Sequence, residues 1–353
     1  GATAIMLANM MLRPIGAAID ARRTAQSHEA EGIRYTLEVK CLRKDEQAIR
    51  ALVFNALHQP GVAKLFAFLI SVTFGLIYVS VQANTIALSA QTAFGIEPIY
   101  SAAFLCVLTA LVIFGGMSRI AKFTEFLVPI MAGIYLLTAF AIIVIHIDQV
   151  PAMFALILHD AFSPQAAVGG GLGTAVITGI KRGLFSNEAG MGSTPHAHAL
   201  AKVKQPQDQG ALAIIGVFVD TFVILTLTAL VLITSGLIPE GMTGTALTQA
   251  AFSLTFGSFG KVFIAICMLF FAFSTILGWY FFGQVNFNAL FGSKYTKVYS
   301  LIVVLFILIG SSLKVDLVWA LADFFNGLMA VPNLLALLAL SGVVAGIARN
   351  KKD

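Results

Sequence analysis

The sequence predicts an all-α fold, a polytopic helix bundle embedded in a membrane, and three observations predict it. Of the 353 residues, 58% are hydrophobic and 11% are charged, whereas soluble domains average about 45–50% and about 25%. The apolar residues form runs close to the length of about 20 residues that a helix needs to cross a bilayer core. The basic residues lie between these runs and form no single basic face. Together these features exclude an ordinary soluble enzyme, a disordered chain and a nucleic-acid-binding domain.

Charge divides the chain near residue 60. Residues 1–60 hold 8 Lys/Arg and 6 Asp/Glu, whereas residues 61–353 hold 14 and 11 over almost five times the length. We therefore predict a divergent polar N-terminal segment over 1–60, with a solvated or interfacial helix inside it. A membrane domain is predicted over 61–349, with about eight or nine helices, and residues 350–353 are predicted to form a tail.

Within the membrane domain, eight segments are apolar enough to be predicted as spans. They are Lys64–Phe94, Pro98–Gly116, Leu127–Ile147, Ala167–Asn187, Ala211–Thr234, Val262–Phe282, Val298–Ser311 and Leu317–Ile347. The last is long enough for one tilted span or for a broken pair around Asn333. Two shorter segments, Val150–Phe162 and Gly244–Phe256, are predicted to be interfacial.

Loop charge predicts the orientation, because cytoplasmic loops carry an excess of Lys and Arg. The predicted spans assign the loops alternately to the two sides of the membrane. The loops on one side, together with the C-terminal end, hold nine Lys and Arg residues, and the loops on the other side hold two. The nine are Arg119, Lys122, Lys202, Lys204, Lys294, Lys297, Arg349, Lys351 and Lys352, and the two are Lys261 and Lys314. The sequence thus predicts a multi-pass protein of the plasma (inner) membrane with a cytoplasmic C-terminus.

One predicted span is unsuited to lipid. Residues 169–192 contain eight glycines together with Lys181, Arg182 and Glu188. Charged residues at membrane depth face protein or water, and irregular backbone survives there only where it is buried in protein or lines a cavity. Thr194-Pro195 then reads as the start of a new helix. A broken helix of this kind offers backbone N–H groups to a carboxylate and open carbonyls to a small cation. The alternative is a glycine-rich packing face between helices.

Other polar residues inside apolar runs are weaker candidates. Gln82 and Asn84 lie in the first span and could simply bond a neighbouring helix. Ser274 and Thr275 carry hydroxyl oxygens suited to Na⁺, although such residues mostly bond back to their own helix. Asp220 and Asp323 are carboxylates within predicted spans; they could form a proton relay, but structural pairs are favoured. No Walker A sequence, hydrolase motif or metal-ligand spacing is present, so we predict neither an enzyme nor a cofactor.

The run KRGLFSNEAGMGSTP (181–195) closely resembles the sodium:alanine symporter family, the alanine or glycine:cation symporters. It is long, ungapped and chemically unusual. The stretches GGMSRIAK (115–122), FSTILGW (273–279), LVWALAD (317–323) and NGLMAVPNL (326–334) are similar to the same family. The resemblance covers about residues 62–345.

The resemblance implies a leucine-transporter-like fold with two inverted repeats, each with a broken first helix. It implies Na⁺-coupled symport of a small neutral amino acid, alanine or glycine, by alternating access, with Na⁺ as the coupling ion. The substrate-binding residues predicted from the break and the resemblance together are Gln82, Asn84, Phe185, Ser186, Asn187, Gly190, Gly192, Ser193 and Trp279. The residues implied for Na⁺ are Ser274 and Thr275.

The N-terminal part departs from the family pattern. In the family, the first broken helix precedes the position of Gly1, and only Gly1–Ile5 resembles its tail. We therefore expect an N-terminally incomplete or divergent member that lacks most of the first broken helix. Two alternatives stay open: a degenerate, non-transporting membrane protein of the same fold, and a proton-coupled amino-acid permease in which Glu188 would carry the proton.

Overall fold

The computed structural model describes residues 60–115, 117–161, 206–237, 242 and 244–349, and all residues of 179–198 except 180, 184, 187 and 189. Several predictions fall outside these residues. They concern the polar segment 1–60 apart from Pro60, the glycines at 169–173, Asn187, the continuation over 199–204 of the helix predicted to start at Thr194-Pro195, and the tail 350–353.

The described residues form helices joined by short turns, with no strand among them. In chain order the helices are α1 (Pro60–Val72), α2 (Val79–Phe94), α3 (Pro98–Ile113), α4 (Met117–Ile145), α5 (Val150–Ala161), α6 (Pro195–His198), α7 (Pro206–Phe218), α8 (Leu225–Thr234), α9 (Gly244–Phe256), α10 (Ser258–Phe291), α11 (Thr296–Ser311) and α12 (Val315–Arg349). The π-helical segments Thr73–Tyr78 and Val219–Ile224 join α1 to α2 and α7 to α8.

Six helices in the described part of the chain are long and apolar enough to cross a membrane. They are Gly61–Phe94, Phe126–Ile145, Gln209–Thr234, Ser258–Phe291, Ser293–Ser311 and Val315–Ala336. Large apolar side chains remain exposed on them, such as Leu137 at 71% and Leu301 at 65%. Lipid tails are as apolar as leucine, so such faces suit a bilayer. The prediction of a polytopic helical membrane protein is confirmed.

The structure decides between the two predictions for the last span. α12 continues as one helix through Pro332 and Asn333, so the broken pair around Asn333 is wrong. Proline removes one backbone hydrogen bond, which a helix can tolerate in a membrane when neighbouring groups compensate. α10 is also longer than its predicted span and continues past Phe282 to Phe291.

The predicted interfacial segment Gly244–Phe256 is α9, and one of its faces is buried in the bundle. Gln249 is 1% exposed, and its Nε2 donates to the backbone oxygen of Ser89 on α2 at 3.0 Å. Close to the turn into α10, α9 also approaches that helix closely, since a β-carbon on Gly260 would lie 2.4 Å from the Phe252 carbonyl oxygen. A polar side chain buried and bonded in this way fixes α9 against α2.

α10 is the central helix and packs against α1, α2, α4 and α9. Its C-terminal half, including Ile276 and Tyr280, belongs to a core cluster with residues of α1, α2, α11 and α12. Its N-terminal half, including Ile264, belongs to a second cluster with α4, α8 and α9. The helix therefore links two packed groups, and residues near position 279 lie in the larger of them.

Glycines let α10 approach the first π-helical segment closely. A β-carbon on Gly75 would lie 1.6 Å from the Tyr299 hydroxyl oxygen, and one on Gly283 would lie 2.0 Å from it. The hydroxyl itself donates to the Ser71 carbonyl at 2.8 Å. Small residues at such contacts allow membrane helices to pack backbone to backbone. This contact places α10 beside the segment that carries Tyr78.

Candidate functional site

The chain is irregular between two helical stretches, at the position where the sequence predicts a broken helix. Lys181–Gly183, Phe185 and Ser186 are helical, whereas the described residues of 188–194 are not. Glu188, Gly190 and Gly192 have φ values of 52°, 76° and 74°. This left-handed region interrupts a right-handed helix. We call residues 188–194 the linker.

Regular structure resumes at Pro195, as the Thr194-Pro195 pair predicts. The first bonds of α6 run from the His198 N–H to the Thr194 carbonyl at 3.1 Å and from the His196 N–H to the Ser193 carbonyl at 3.1 Å. The His196 side chain is buried, with Nδ1 2.9 Å from the Ser193 carbonyl. Its Nε2 lies 3.0 Å from the Asn286 amide nitrogen. Because that amide donates, Nε2 accepts and Nδ1 carries the proton.

Asn333 of α12 binds the linker. Its Nδ2 donates to the Gly190 carbonyl at 2.9 Å. A β-carbon on Gly192 would lie 2.5 Å from Asn333 Oδ1 and 2.5 Å from Phe66 Cζ. α1 and α12 therefore enclose the linker, and Gly192 lies at a tight position in this enclosure, whereas a β-carbon on Gly190 would meet Leu334 only at 3.6 Å.

A buried carboxylate joins the linker to α10. Glu188 is 2% exposed and Ser193 is 0% exposed. The Ser193 hydroxyl donates to Glu188 Oε2 at 2.5 Å. The Trp279 indole Nε1 donates to Glu188 Oε1 at 2.6 Å. Two predicted substrate residues, Ser193 and Trp279, are thus brought together through a third residue that the sequence had suggested only as a proton carrier.

Aromatic rings surround this junction. The Trp279 ring centroid lies 5.0 Å from that of Tyr78 and 5.8 Å from that of Phe185. Phe185 also contacts Trp319, with centroids 5.1 Å apart. We call Tyr78, Phe185, Trp279 and Trp319 the aromatic cluster. It joins the broken helix to the first π-helical segment, α10 and α12, and includes the predicted residues Phe185 and Trp279.

An ion pair borders the aromatic cluster. Arg182 lies 2.6 Å from both carboxylate oxygens of Asp323, and its guanidinium carbon lies 4.3 Å from the centroid of the Trp319 ring. The Lys181 ammonium is farther away, 3.9 Å from Asp323. Arg182 and Asp323 remain 37% and 24% exposed. The pairing agrees with the structural role favoured for Asp323.

Ser186 bonds the second carboxylate that lies within a predicted span. Its hydroxyl donates to Asp220 Oδ2 at 2.5 Å. Asp220 lies in the second π-helical segment, and single π turns inside helices are frequent at functional sites. This bond connects the broken helix to the α7–α8 span.

The hydroxyls of Ser274 and Thr275 both donate to the Phe271 carbonyl, at 2.9 Å and 2.8 Å. This is the back-bonding that such residues commonly make in membrane helices. A hydroxyl that donates its proton keeps lone pairs that can contact a cation. Ser274 and Thr275 lie about one turn before Trp279 on α10, and their role in binding Na⁺ remains a prediction.

The remaining two predicted substrate residues lie on α2. Asn84 is buried, and its Nδ2 donates to the carbonyls of Gly310 at 3.1 Å and Leu313 at 2.7 Å. It therefore ties α2 to the end of α11. Gln82 is half-buried, and no hydrogen bond joins its side-chain amide to a residue that the structure describes. Their contact with a substrate stays a prediction.

Removing the Asn84 amide should mainly reduce stability. We expect Asn84→Ala to lower the free energy of unfolding by about 1–3 kcal/mol, because buried carbonyls lose a donor. Thermal unfolding in detergent measures this loss, with Thr85→Ala as the control, since the Thr85 hydroxyl bonds to Val81 of its own helix and to no other described residue. An unchanged melting temperature together with weaker substrate binding would instead support direct contact.

Sequence reasoning missed several residues at the junction. Tyr78 gave no signal, because an aromatic residue in an apolar run is ordinary. Asn286 and Asn333 bind His196 and the linker, although Asn333 had been considered only as a helix break. The ion pair could have been predicted from Lys181, Arg182 and Asp323, because charged residues within membrane spans tend to pair with opposite charges.

Comparison with known proteins identifies the family. The model of the sodium:alanine symporter family matches residues 51–352. The chain belongs to this family. It is 42% identical over 280 residues to the amino-acid carrier protein AlsT of Bacillus subtilis, covering 79% of this chain and 60% of the relative. It is 42% identical over 292 residues to a probable sodium/glutamine symporter, GlnT, of the same organism, covering 82% and 61%.

A third relative is the sodium/alanine symporter AgcS of Methanococcus maripaludis. It is 41% identical over 268 residues, covering 75% of this chain and 59% of the relative. The chain spans about three fifths of the length of the relatives that it matches. Family membership confirms the resemblance carried by the run at 181–195.

Proposed function

We propose that this protein is a secondary active transporter that couples inward movement of a small neutral amino acid, alanine or glycine, to Na⁺. The observation that carries the proposal is the linker: non-helical backbone, buried between α1, α10 and α12, in a chain of the sodium:alanine symporter family. Broken helices at such depth form the substrate and ion sites of secondary transporters. A leucine-transporter-like arrangement of inverted repeats is part of the proposal.

The contacts suggest a role for each element. The N–H groups of the linker are offered to the carboxylate of the amino acid, while Phe185 and Trp279 border its side chain. Na⁺ is placed near the hydroxyl oxygens of Ser274 and Thr275, on the same helix as Trp279. Alternating access then follows from movement of one helix group against the other around the site.

Uptake into proteoliposomes tests the proposal directly. With an inward Na⁺ gradient, we expect radiolabelled alanine to accumulate above the level reached with equal Na⁺ on both sides. Competition by unlabelled glycine, glutamine and D-alanine then ranks the substrates, since one relative bears a glutamine symporter name. Accumulation driven by a pH gradient without Na⁺ would favour the proton-coupled alternative. Absence of uptake in either gradient would favour the non-transporting alternative.

The Na⁺ assignment has its own prediction. We expect Thr275→Ala to raise the Na⁺ concentration for half-maximal uptake by about tenfold, equivalent to the 1–2 kcal/mol of one lost oxygen contact. Thr275→Ser keeps the hydroxyl and should stay near the wild type. If both variants shift equally, the methyl group and not the oxygen matters, and the Na⁺ assignment fails.

The orientation is also proposed. The excess of Lys and Arg in the segments 117–125, 195–210 and 284–297, which the sequence predicts as loops, and at the C-terminal end supports a cytoplasmic side for all four. A tag at the C-terminus of the protein in intact cells should be inaccessible to protease until the membrane is permeabilised. Cleavage in intact cells would reverse the orientation.

A further inference from the structure

Glu188 has a backbone conformation that is unusual for its residue type. Among the described residues it alone combines a β-carbon with a positive φ, 52°. Residues other than glycine that adopt this region are mostly Asn, Asp or His, whose short side chains bond locally. A strained residue persists when the surrounding structure determines its position.

The two carboxylate oxygens have different partners in different parts of the molecule. Oε2 accepts from the Ser193 hydroxyl at the far end of the linker, at 2.5 Å. Oε1 accepts from the Trp279 indole on α10, at 2.6 Å. Glu188 itself follows the helical residues Phe185 and Ser186. Its side chain therefore connects three parts of the molecule: the end of that helical stretch, the end of the linker before α6, and the central helix α10.

The partner on α10 faces the aromatic cluster. Trp279 is 3% exposed, and its ring contacts Phe74, Tyr78 and Phe185. An indole has one polar atom, and that atom is bonded to Glu188, so the bond fixes which way the ring turns. Rotation of this ring would change the space beside Phe185, where the proposed function places the substrate side chain.

We infer that Glu188 is a positioning residue: it holds the Trp279 indole and the Ser193 end of the linker in one arrangement, and so sets the size of the side chain that the site accepts. The size selection rests on the proposed function, whereas the arrangement of the indole does not. Glu188 performs this role through its two hydrogen bonds to Trp279 and Ser193, and not through the negative charge of its carboxylate.

Two substitutions separate the alternatives. Glu188→Gln keeps both bonds, since the amide oxygen accepts from Trp279 and the amide nitrogen donates to the Ser193 oxygen, while the charge is removed. Glu188→Gly suits the positive φ but removes both acceptors. If the backbone conformation were the whole role, Glu188→Gly would behave as the wild type. If charge were the role, Glu188→Gln would be as defective as Glu188→Gly.

We expect Glu188→Gly to raise the KM for alanine about tenfold and to weaken discrimination against leucine by a similar factor, with a smaller change in maximal rate. Glu188→Gln should keep both values near the wild type. A folded Glu188→Gln protein that is as defective as Glu188→Gly overturns the inference. Wild-type selectivity in Glu188→Gly overturns it as well.

Tryptophan fluorescence provides a readout that does not need transport. The chain has two tryptophans, so Trp319→Phe leaves Trp279 as the single emitter. In this background Glu188→Gly should shift the Trp279 emission, whereas Glu188→Gln should not. Equal emission in the two variants overturns the inference, whether or not the wild type transports. A wild type that shows no uptake counts against the proposed function only.

A second variant covers the case in which Glu188→Gly does not fold. Ser193→Ala removes one donor and leaves the Glu188–Trp279 bond in place. We expect a smaller rise in KM than the tenfold above, with unchanged Trp279 emission. A shifted emission in Ser193→Ala would show that the Glu188–Trp279 bond does not by itself fix the indole, and would overturn the inference.

Discussion

Gly192→Ala should reduce Na⁺-driven uptake more than tenfold and lower the melting temperature of the protein. The new β-carbon would lie 2.5 Å from Asn333 Oδ1 and from Phe66 Cζ, closer than van der Waals contact permits. The φ of 74° adds strain of about 1–2 kcal/mol for any residue with a β-carbon. Overpacking of an enclosed position costs a further 1–3 kcal/mol or so. Relief by movement of Asn333 would break its bond to the Gly190 carbonyl.

Gly183→Ala is the matched control for this prediction. Gly183 is on the same broken helix, and its added β-carbon would meet no atom of the described residues within 4 Å. At a helical position alanine is favoured over glycine by about 0.5–1 kcal/mol, so this variant should melt at the same temperature or higher. Asn333→Ala should show part of the Gly192→Ala defect. Equal activity of Gly192→Ala and Gly183→Ala would contradict the tight enclosure of the linker.

Arg182→Gln should lower the maximal rate of uptake by about tenfold. Arg182 bonds both oxygens of Asp323 at 2.6 Å and stacks on Trp319 at 4.3 Å, so it joins the broken helix to α12 beside the aromatic cluster. Loss of hydrogen bonds between charged groups costs about 1.5–3 kcal/mol, and the partial exposure of the pair favours the lower part of this range. The arrangement seen here would then be less populated.

Lys181→Gln tests whether the effect belongs to this pair or to positive charge in general. Lys181 is 54% exposed and lies 3.9 Å from Asp323, and exposed pairs contribute about 0–1 kcal/mol. The maximal rate of uptake by the Lys181→Gln variant should therefore change little. Exchanging the partners, Arg182→Asp with Asp323→Arg, should restore part of the rate that either single substitution removes. A Lys181→Gln defect as large as that of Arg182→Gln would show that net charge, not the pair, is responsible.

Much of the fold could be predicted from local features. Gly61–Phe94 and Ser258–Phe291 can span a membrane because their apolar runs are long enough. The thickness of the bilayer fixes the number of residues that such a run requires. The break between Ser186 and Pro195 also followed from local features: dense glycine, charge at depth, and a Thr-Pro helix start. Each of these depends on the residue itself and its neighbours in the chain.

The sequence by itself determined the membrane class, the position of the break and, through the run at 181–195, the family. Tertiary structure alone decided which groups meet there: the Glu188 carboxylate with the Trp279 indole, the Gly190 carbonyl with the Asn333 amide, and Arg182 with Asp323. These partners are 91 to 143 residues apart in the chain. Lipid-facing and core-facing helix surfaces are both apolar, so hydrophobic periodicity does not distinguish the face that packs inward. The contacts between helices therefore depend on packing that no local pattern records.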